Sequence, residues 1–462
     1  MQDYTDISLF HVQDILLVPL LLFILFLFYK KQVIAPNAAN STLVKIFIFA
    51  FFFKFLCTFL NSCLSEFYYN KIADTFGYYG ETLNIRHQIS DNPRASLWDF
   101  YFNNAKFAAD TGILREGFGG NVTANVPLVA LPLSYLFFNS YLCISILLAY
   151  FALMSCYRMY EVFADVFPRY QKQAAIAAVL LPGVCFWSSI LLKDTISLAG
   201  LGYGLWFFWK IFIKKRIRVF NIAGLLFSLS LMYYFKPYIL VVVFSFFLWF
   251  GLNIYKKIKN SFIRALSLVI FLGVFSGVVM LALDEVDQLQ NSTLDAYKTE
   301  KIAGQLATFQ QLGQDDNYGN SGFKMGEVDF TNPVSVLGRV PEALTAVFFR
   351  PFIWEATKPI MLLSALESFF IFYLFIYAVF KSRILGFLGI IFRDPFLLSF
   401  FIYCIFFGTI VTLAAPNFGT LARYKIPCMP FIVFVLLVVK QKLKEVSAAK
   451  KKLILLQPVT FL

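Results

Sequence analysis

Apolar runs long enough to cross a lipid bilayer recur along this chain, separated by short polar or basic turns. A helix needs roughly 20 apolar residues to span the hydrocarbon, and ~15 suffice where neighbouring side chains snorkel. By that measure the pattern predicts about eleven spans, near 15–29, 46–64, 141–157, 173–191, 195–212, 220–235, 238–255, 262–283, 358–380, 396–414 and 426–440. Residues 126–138 (VPLVALPLSYLFF) are apolar but short, and counting them as a span would export the basic turn Lys214 to Arg218. They read as a juxtamembrane or half-inserted helix. The fold class expected is therefore an all-α polytopic membrane protein with two large outer loops that contain juxtamembrane helices.

Threading these spans with the N-terminus outside gathers the basic clusters Lys30/Lys31/Lys45, Arg158/Arg169/Lys172, Lys210 to Arg218, Lys256 to Arg264, Lys381/Arg383/Arg393 and Lys440 to Lys452 on the cytoplasmic side. The reverse orientation would invert that bias. The linear organisation expected is 1–64 as N-terminal spans, 65–140 as a first outer loop, and 141–283 as a transmembrane core. A second outer loop at 284–357 and C-terminal spans with a basic tail at 358–462 complete it. The first loop is acidic and aromatic (SLWDFYF), which suits helices lying in the interface. The second passes through GQDDNYGNSG, which reads as a mobile loop.

Composition sharpens this picture. The chain is 59% hydrophobic and only 15% charged, more apolar surface than a soluble fold of 462 residues can hide. The net charge of +13 follows from topology, since the cations sit in short clusters between spans, so no nucleic-acid partner is expected. The seven cysteines lie in or beside apolar runs with no CxxC pair and read as packing residues. Acids, not a basic region, precede the first run, which is therefore expected to stay as an anchor. His11 and His87 are the only histidines, leaving little material for a metal centre or a Ser/His/Asp triad. No metal ligand is assigned; a divalent ion is an open alternative that the sequence does not support.

Several polar residues stand out against the apolar background. Asp74, in ADTFGYYGE, follows the second span by about ten residues, so a short turn returns its carboxylate to the membrane surface, where it could act as a general base. The alternative is one more solvated loop acid. Lys193 and Asp194, in WSSILLKDTISL, occupy a tight turn at headgroup depth, where the ammonium suits a lipid phosphate and Asp194 fixes it. Plain snorkelling is the competing reading. Lys236, in YYFKPYI, repeats the arrangement. Arg423, Tyr424 and Lys425, in APNFGTLARYKIP, put two cations on an outer turn, against the topological bias; together they suit a phosphate or pyrophosphate. Arg339, Arg350, Trp354, Glu355 and Lys358 flank the re-entry FRPFIWEA, either as a phosphate-binding group or as an interfacial girdle. Glu367 lies inside the next span and needs a partner, for which Lys358 and Arg423 are candidates. Lys54, in the middle of IFAFFFKFLC, should snorkel or pair with an acid on another helix.

Acids in a large first outer loop, cations at short outer turns and a long second loop leading to an Arg-containing re-entry together resemble the GT-C class of polytopic glycosyltransferases. The resemblance covers most of the chain as architecture and rests on ADTFGYYGE, WSSILLKD and LARYKIP. It implies an enzyme that moves a sugar from a polyprenyl-phosphate-linked donor to a glycan, lipid or protein acceptor on the outer face of a bacterial inner membrane. It assigns Asp74 as base with Glu81 as second catalytic acid, although Asp110 and Glu355 compete for that role. Lys193, Lys236, Arg350, Arg423 and Lys425 would bind the donor phosphate, supported by Asp194, Tyr424, Glu355 and Glu367. Two other readings fit the same features: an O-antigen or capsule polymerase or ligase, and a lipid-linked sugar transporter.

Overall fold

The computed structural model describes residues 7–112, 125–260, 333–415 and 417–456. Among them regular structure is helical throughout, with no strand. Among the described residues, seven helices are long and apolar enough to cross a bilayer: Asp14–Asn37, Ser41–Tyr68, Tyr141–Val166, Lys193–Ile213, Pro237–Lys257, Ile360–Phe392 and Pro395–Ala414. The pair Phe418–Tyr424 and Met429–Ala449, bent by 75°, makes an eighth if taken as one span. On the first of these, Ile15, Leu16, Phe23 and Phe28 are exposed, as an apolar face directed at lipid should be. The Tyr141–Val166 helix is instead buried along most of its length.

The helices are labelled here in chain order. They are α1 (Asp14–Tyr29), α2 (Ser41–Cys63), α3 (Asp74–Asp91), α4 (Leu97–Phe102), α5 (Asn104–Thr111), α6 (Asn125–Leu136), α7 (Tyr141–Val166), α8 (Gln171–Val179) and α9 (Pro182–Trp187). They continue with α10 (Lys193–Phe208), α11 (Val219–Phe235), α12 (Val241–Lys257), α13 (Pro333–Phe349), α14 (Pro359–Phe392), α15 (Pro395–Ala414), α16 (Phe418–Tyr424) and α17 (Met429–Leu456).

Three expected spans look different in the structure. The run at 173–191 is not one helix: α8 stops before Pro182, whose ring removes a backbone donor, and an irregular stretch follows α9 up to Lys193. The span at 220–235 is the 17-residue α11, shorter than the others. The span at 358–380 runs on to Phe392 but is broken at Arg383, whose φ of 56° lies outside the helical region. Residues 126–138 form the 12-residue α6. The expected span at 262–283, and the second-loop stretch GQDDNYGNSG, lie outside the described residues.

The described residues divide into two compact units, one from 7–162 and 184–240, the other from 163–183, 241–260 and 333–456. In the first unit, glycines on α10 permit close helix packing: a Cβ at Gly200 would meet the Ser228 carbonyl of α11 at 2.8 Å, and one at Gly202 would strike the Ser155 carbonyl of α7. Small residues serve this purpose in membranes, where lipid leaves no hydrophobic drive between helices. The first-loop helices α3 to α6 share a small core of Ile85, Phe100, Phe107 and Leu131. Arg86 ties α3 to the end of α6 by hydrogen bonds to the Ser134 carbonyl and Asn139, and lies over the Tyr135 ring. In the second unit, aromatic stacking does comparable work, with Phe163 on Phe434 at 4.3 Å and Phe400 on Phe431 at 4.5 Å between ring centroids.

Candidate functional site

In the first unit, a turn with two successive left-handed residues, Asn70 and Lys71 (φ 45° and 64°), reverses the chain after α2 and starts α3 at Asp74. Asp74 is exposed in the first turn of α3, where an acid complements the helix dipole. Tyr78 and Glu81 follow at i+4 and i+7 and so share its helix face. Next to Asp74, the Thr75 hydroxyl donates to the Leu191 carbonyl (3.1 Å) and meets the Tyr141 hydroxyl (2.7 Å). This bond brings the start of α3 against the residues that lead into α10. Lys193 is the first residue of α10 and is half-buried, with its ammonium over the Tyr78 ring at 5.9 Å. Behind it, Asp194 and Lys236 form a buried ion pair that joins α10 to the turn after α11, with 3% and 6% exposure. Asp74, Glu81, Lys193, Asp194 and Lys236 thus belong to one local assembly, floored by Phe76, Tyr79, Tyr141, Leu191, Ile196 and Phe235.

Lys54 neither snorkels nor turns to an acid. It is 2% exposed, and its ammonium donates to the Cys185 carbonyl (3.1 Å), the Ser188 carbonyl (2.6 Å) and the Ser188 hydroxyl (2.6 Å). The sequence shows the charge but not the carbonyls that receive it, because those become available only when the 173–191 run unwinds. Pro182-Gly183 and Ser188-Ser189 inside that run are the signal that could have announced the break.

The second unit holds the other candidates. Arg350 grips both oxygens of Glu355 through Nε at 3.0 and 3.1 Å and lies over the Phe418 ring at 5.0 Å. The Phe352 N–H also donates to Glu355 at 2.8 Å. Burial alone would raise the Glu355 carboxyl; the bonds from Arg350 and Phe352 and the guanidinium charge outweigh it and hold the group below its ordinary value. Lys425 is 1% exposed, and its ammonium donates to the Val347 carbonyl (3.2 Å) and the Ser368 hydroxyl (3.1 Å). Ser368 in turn donates to the Arg350 backbone carbonyl, which links the Lys425 ammonium to the main chain at Arg350 through one hydroxyl. Glu367 is buried and accepts from the Gly183 N–H at 3.3 Å. Arg423 and Tyr424 are half-buried on α16. Lys236, Lys425 and Arg350 therefore have protein partners that each would exchange to take a phosphate; Asp74 is exposed and Lys193 half-buried.

Among the described residues, no three His, Cys, Asp or Glu side chains gather closely enough to hold a metal ion. Of the competing acids, Glu355 is taken up by Arg350, and the Asp110 backbone carbonyl accepts from Asn92. Residues that sequence reasoning did not single out are Thr75, Tyr78 and Tyr141, which join α3 to the start of α10. Ordinary hydroxyl and aromatic residues carry no pattern until their partners are known. No protein-family model, no curated protein and no solved structure matches this chain.

Proposed function

We propose that the protein is a membrane glycosyltransferase of GT-C type. It moves a sugar from a polyprenyl-phosphate-type donor to a glycan, lipid or protein acceptor at the non-cytoplasmic face of a bacterial inner membrane. The observation that carries this reading is the assembly around the start of α10: an exposed carboxylate at the start of one helix, a lysine at the start of another, and the Thr75 bond that joins them. In the reaction the acceptor hydroxyl oxygen attacks the anomeric carbon as the bond to the lipid phosphate breaks. The electron pair leaves on the phosphate oxygen, and the hydroxyl proton passes to Asp74, with Glu81 on the same helix face as second acid. Lys193, backed by the Asp194–Lys236 pair, offsets the charge that grows on the phosphate. The architecture that serves this chemistry is about eleven spans with the N-terminus outside.

Asp74→Asn keeps the shape of the side chain and removes its basicity. Monosaccharide transfer to acceptor, measured with the purified variant, should fall on the order of 10²–10⁴-fold while the protein still accumulates in the membrane. Undiminished transfer would remove the reading. Whole-oligosaccharide products would point to a polymerase or ligase, and flux across sealed vesicles with no covalent product to a transporter.

A further inference from the structure

Between Trp187 and Lys193 the chain is irregular, within a run apolar enough to lie at membrane depth, so its freed backbone groups must be satisfied by protein. Side chains supply donors to carbonyls both in the last turn of α9 and in the irregular residues after it. Val184 accepts from the Ser188 hydroxyl, Cys185 and Ser188 from Lys54, and Phe186 from Asn61 at 3.0 Å. Ile190 accepts from the Thr195 hydroxyl and Leu191 from the Thr75 hydroxyl. Two of these donors, Lys54 and Asn61, come from α2 and lie seven residues apart, on one face of that helix.

The hydrogen-bond pattern at Lys54 also fixes what its nitrogen must be. Two acceptors are backbone carbonyls, which cannot donate. The third is the Ser188 hydroxyl, whose own proton goes to the Val184 carbonyl. Three contacts that can only accept require three N–H bonds, which an ammonium has and a neutral amine lacks. The group therefore sits among neutral oxygens as a small cation does at the C-terminal end of a broken helix.

We infer that Lys54 is a resident cation, tethered to α2, that caps the end of α9 at Cys185 and holds the first irregular residue, Ser188, and thereby sets where α10 begins, making it a positioning residue for Lys193 and Asp194. The role in organising the backbone stands without any assumption about activity. The consequence for Lys193 rests on the glycosyltransferase reading.

The test uses the full chain in detergent, with hydrogen exchange of the amides at 188–192 as readout. Lys54→Ala should raise their exchange roughly tenfold or more, the factor that corresponds to losing one hydrogen bond to a charged group. Methylammonium, which restores a cation with three N–H bonds, should reverse the rise; tetramethylammonium, which has the charge but no N–H, should not. Lys54→Met keeps the length and apolar bulk, and should match Lys54→Ala. Exchange at the wild-type level in Lys54→Met would overturn the inference, as would equal rescue by both cations. Should Lys54→Ala fail to fold, Asn61→Ala removes one neutral donor to the same segment, and a smaller rise confined to 185–192 is expected; no rise there overturns it. For the link to Lys193, Lys54→Met should raise KM for the lipid-phosphate donor more than it lowers kcat. An unchanged KM beside raised exchange would refute the positioning role, and that result is distinct from the Asp74→Asn outcome, which tests the reaction itself.

Discussion

Glu355 meets a guanidinium and a backbone N–H at once, and the consequence for stability has a definite sign. A carboxyl whose folded pKa lies below its unfolded value contributes stability that is present above the unfolded value and is lost as pH falls through the folded one. Glu355 is held below its ordinary value of 4.5, so the Arg350–Glu355 pair should survive throughout the neutral range. Thermal unfolding of Glu355→Gln should therefore fall below that of the unaltered protein by a constant margin from neutral pH down to about 5, and the margin should close in more acid solution. A margin that grows on acidification would show that the pair does not form. At this scale the sequence revealed Lys54, Glu367 and Lys425, because a lysine or glutamate in or beside an apolar run stands out on its own, but it passed over the buried acids Asp14, Glu66 and Asp99. It did not reveal the partners. Lys54 turned out to bind carbonyls and Glu367 an amide, groups that every residue carries and that composition therefore cannot distinguish.

Among elements, α10 shows how little side chain is needed to set a helix packing. Gly200 and Gly204 face α11, while Gly202, half a turn away, faces the α7 backbone at Ser155. An added methyl at Gly202 meets backbone atoms, which cannot rotate aside as a flexible side chain does. Gly202→Ala should cost about 1–3 kcal/mol in unfolding free energy in detergent. Gly338→Ala on α13, where a Cβ meets nothing within 4 Å, should be neutral or slightly stabilising, as a helical Gly→Ala exchange is when space allows. Equal costs at the two sites would discount the close approach of α7 and α10. The same element scale explains the miss at 173–191. Hydropathy sums over a window and ignores the backbone, so Pro182 and Gly183 vanish among their apolar neighbours, although proline removes a donor from the hydrogen-bond ladder wherever it sits.

For the whole molecule, orientation follows from where the cations lie between spans. Reporter fusions after residues 215, 257 and 445 should all score cytoplasmic, and a fusion near 310 should not. A cytoplasmic signal at 310 would overturn the threading and, with it, the sidedness on which the proposed reaction depends. The helical class and the apolar character of the chain were readable directly, since a bilayer demands uninterrupted apolar length and internal backbone hydrogen bonds, both of which are local properties of sequence. Lys193 and Lys236 were also visible as isolated polar residues at the ends of apolar runs, and Asp74 as a loop acid about ten residues past one. That the starts of α3 and α10 meet, that Asp194 and Lys236 pair across 42 residues, and that Lys54 holds a backbone segment more than 130 residues away were decided only on folding. Each depends on a contact between distant parts of the chain, made possible by glycines, hydroxyls and carbonyls whose identity carries no meaning until packing supplies the other half of the bond.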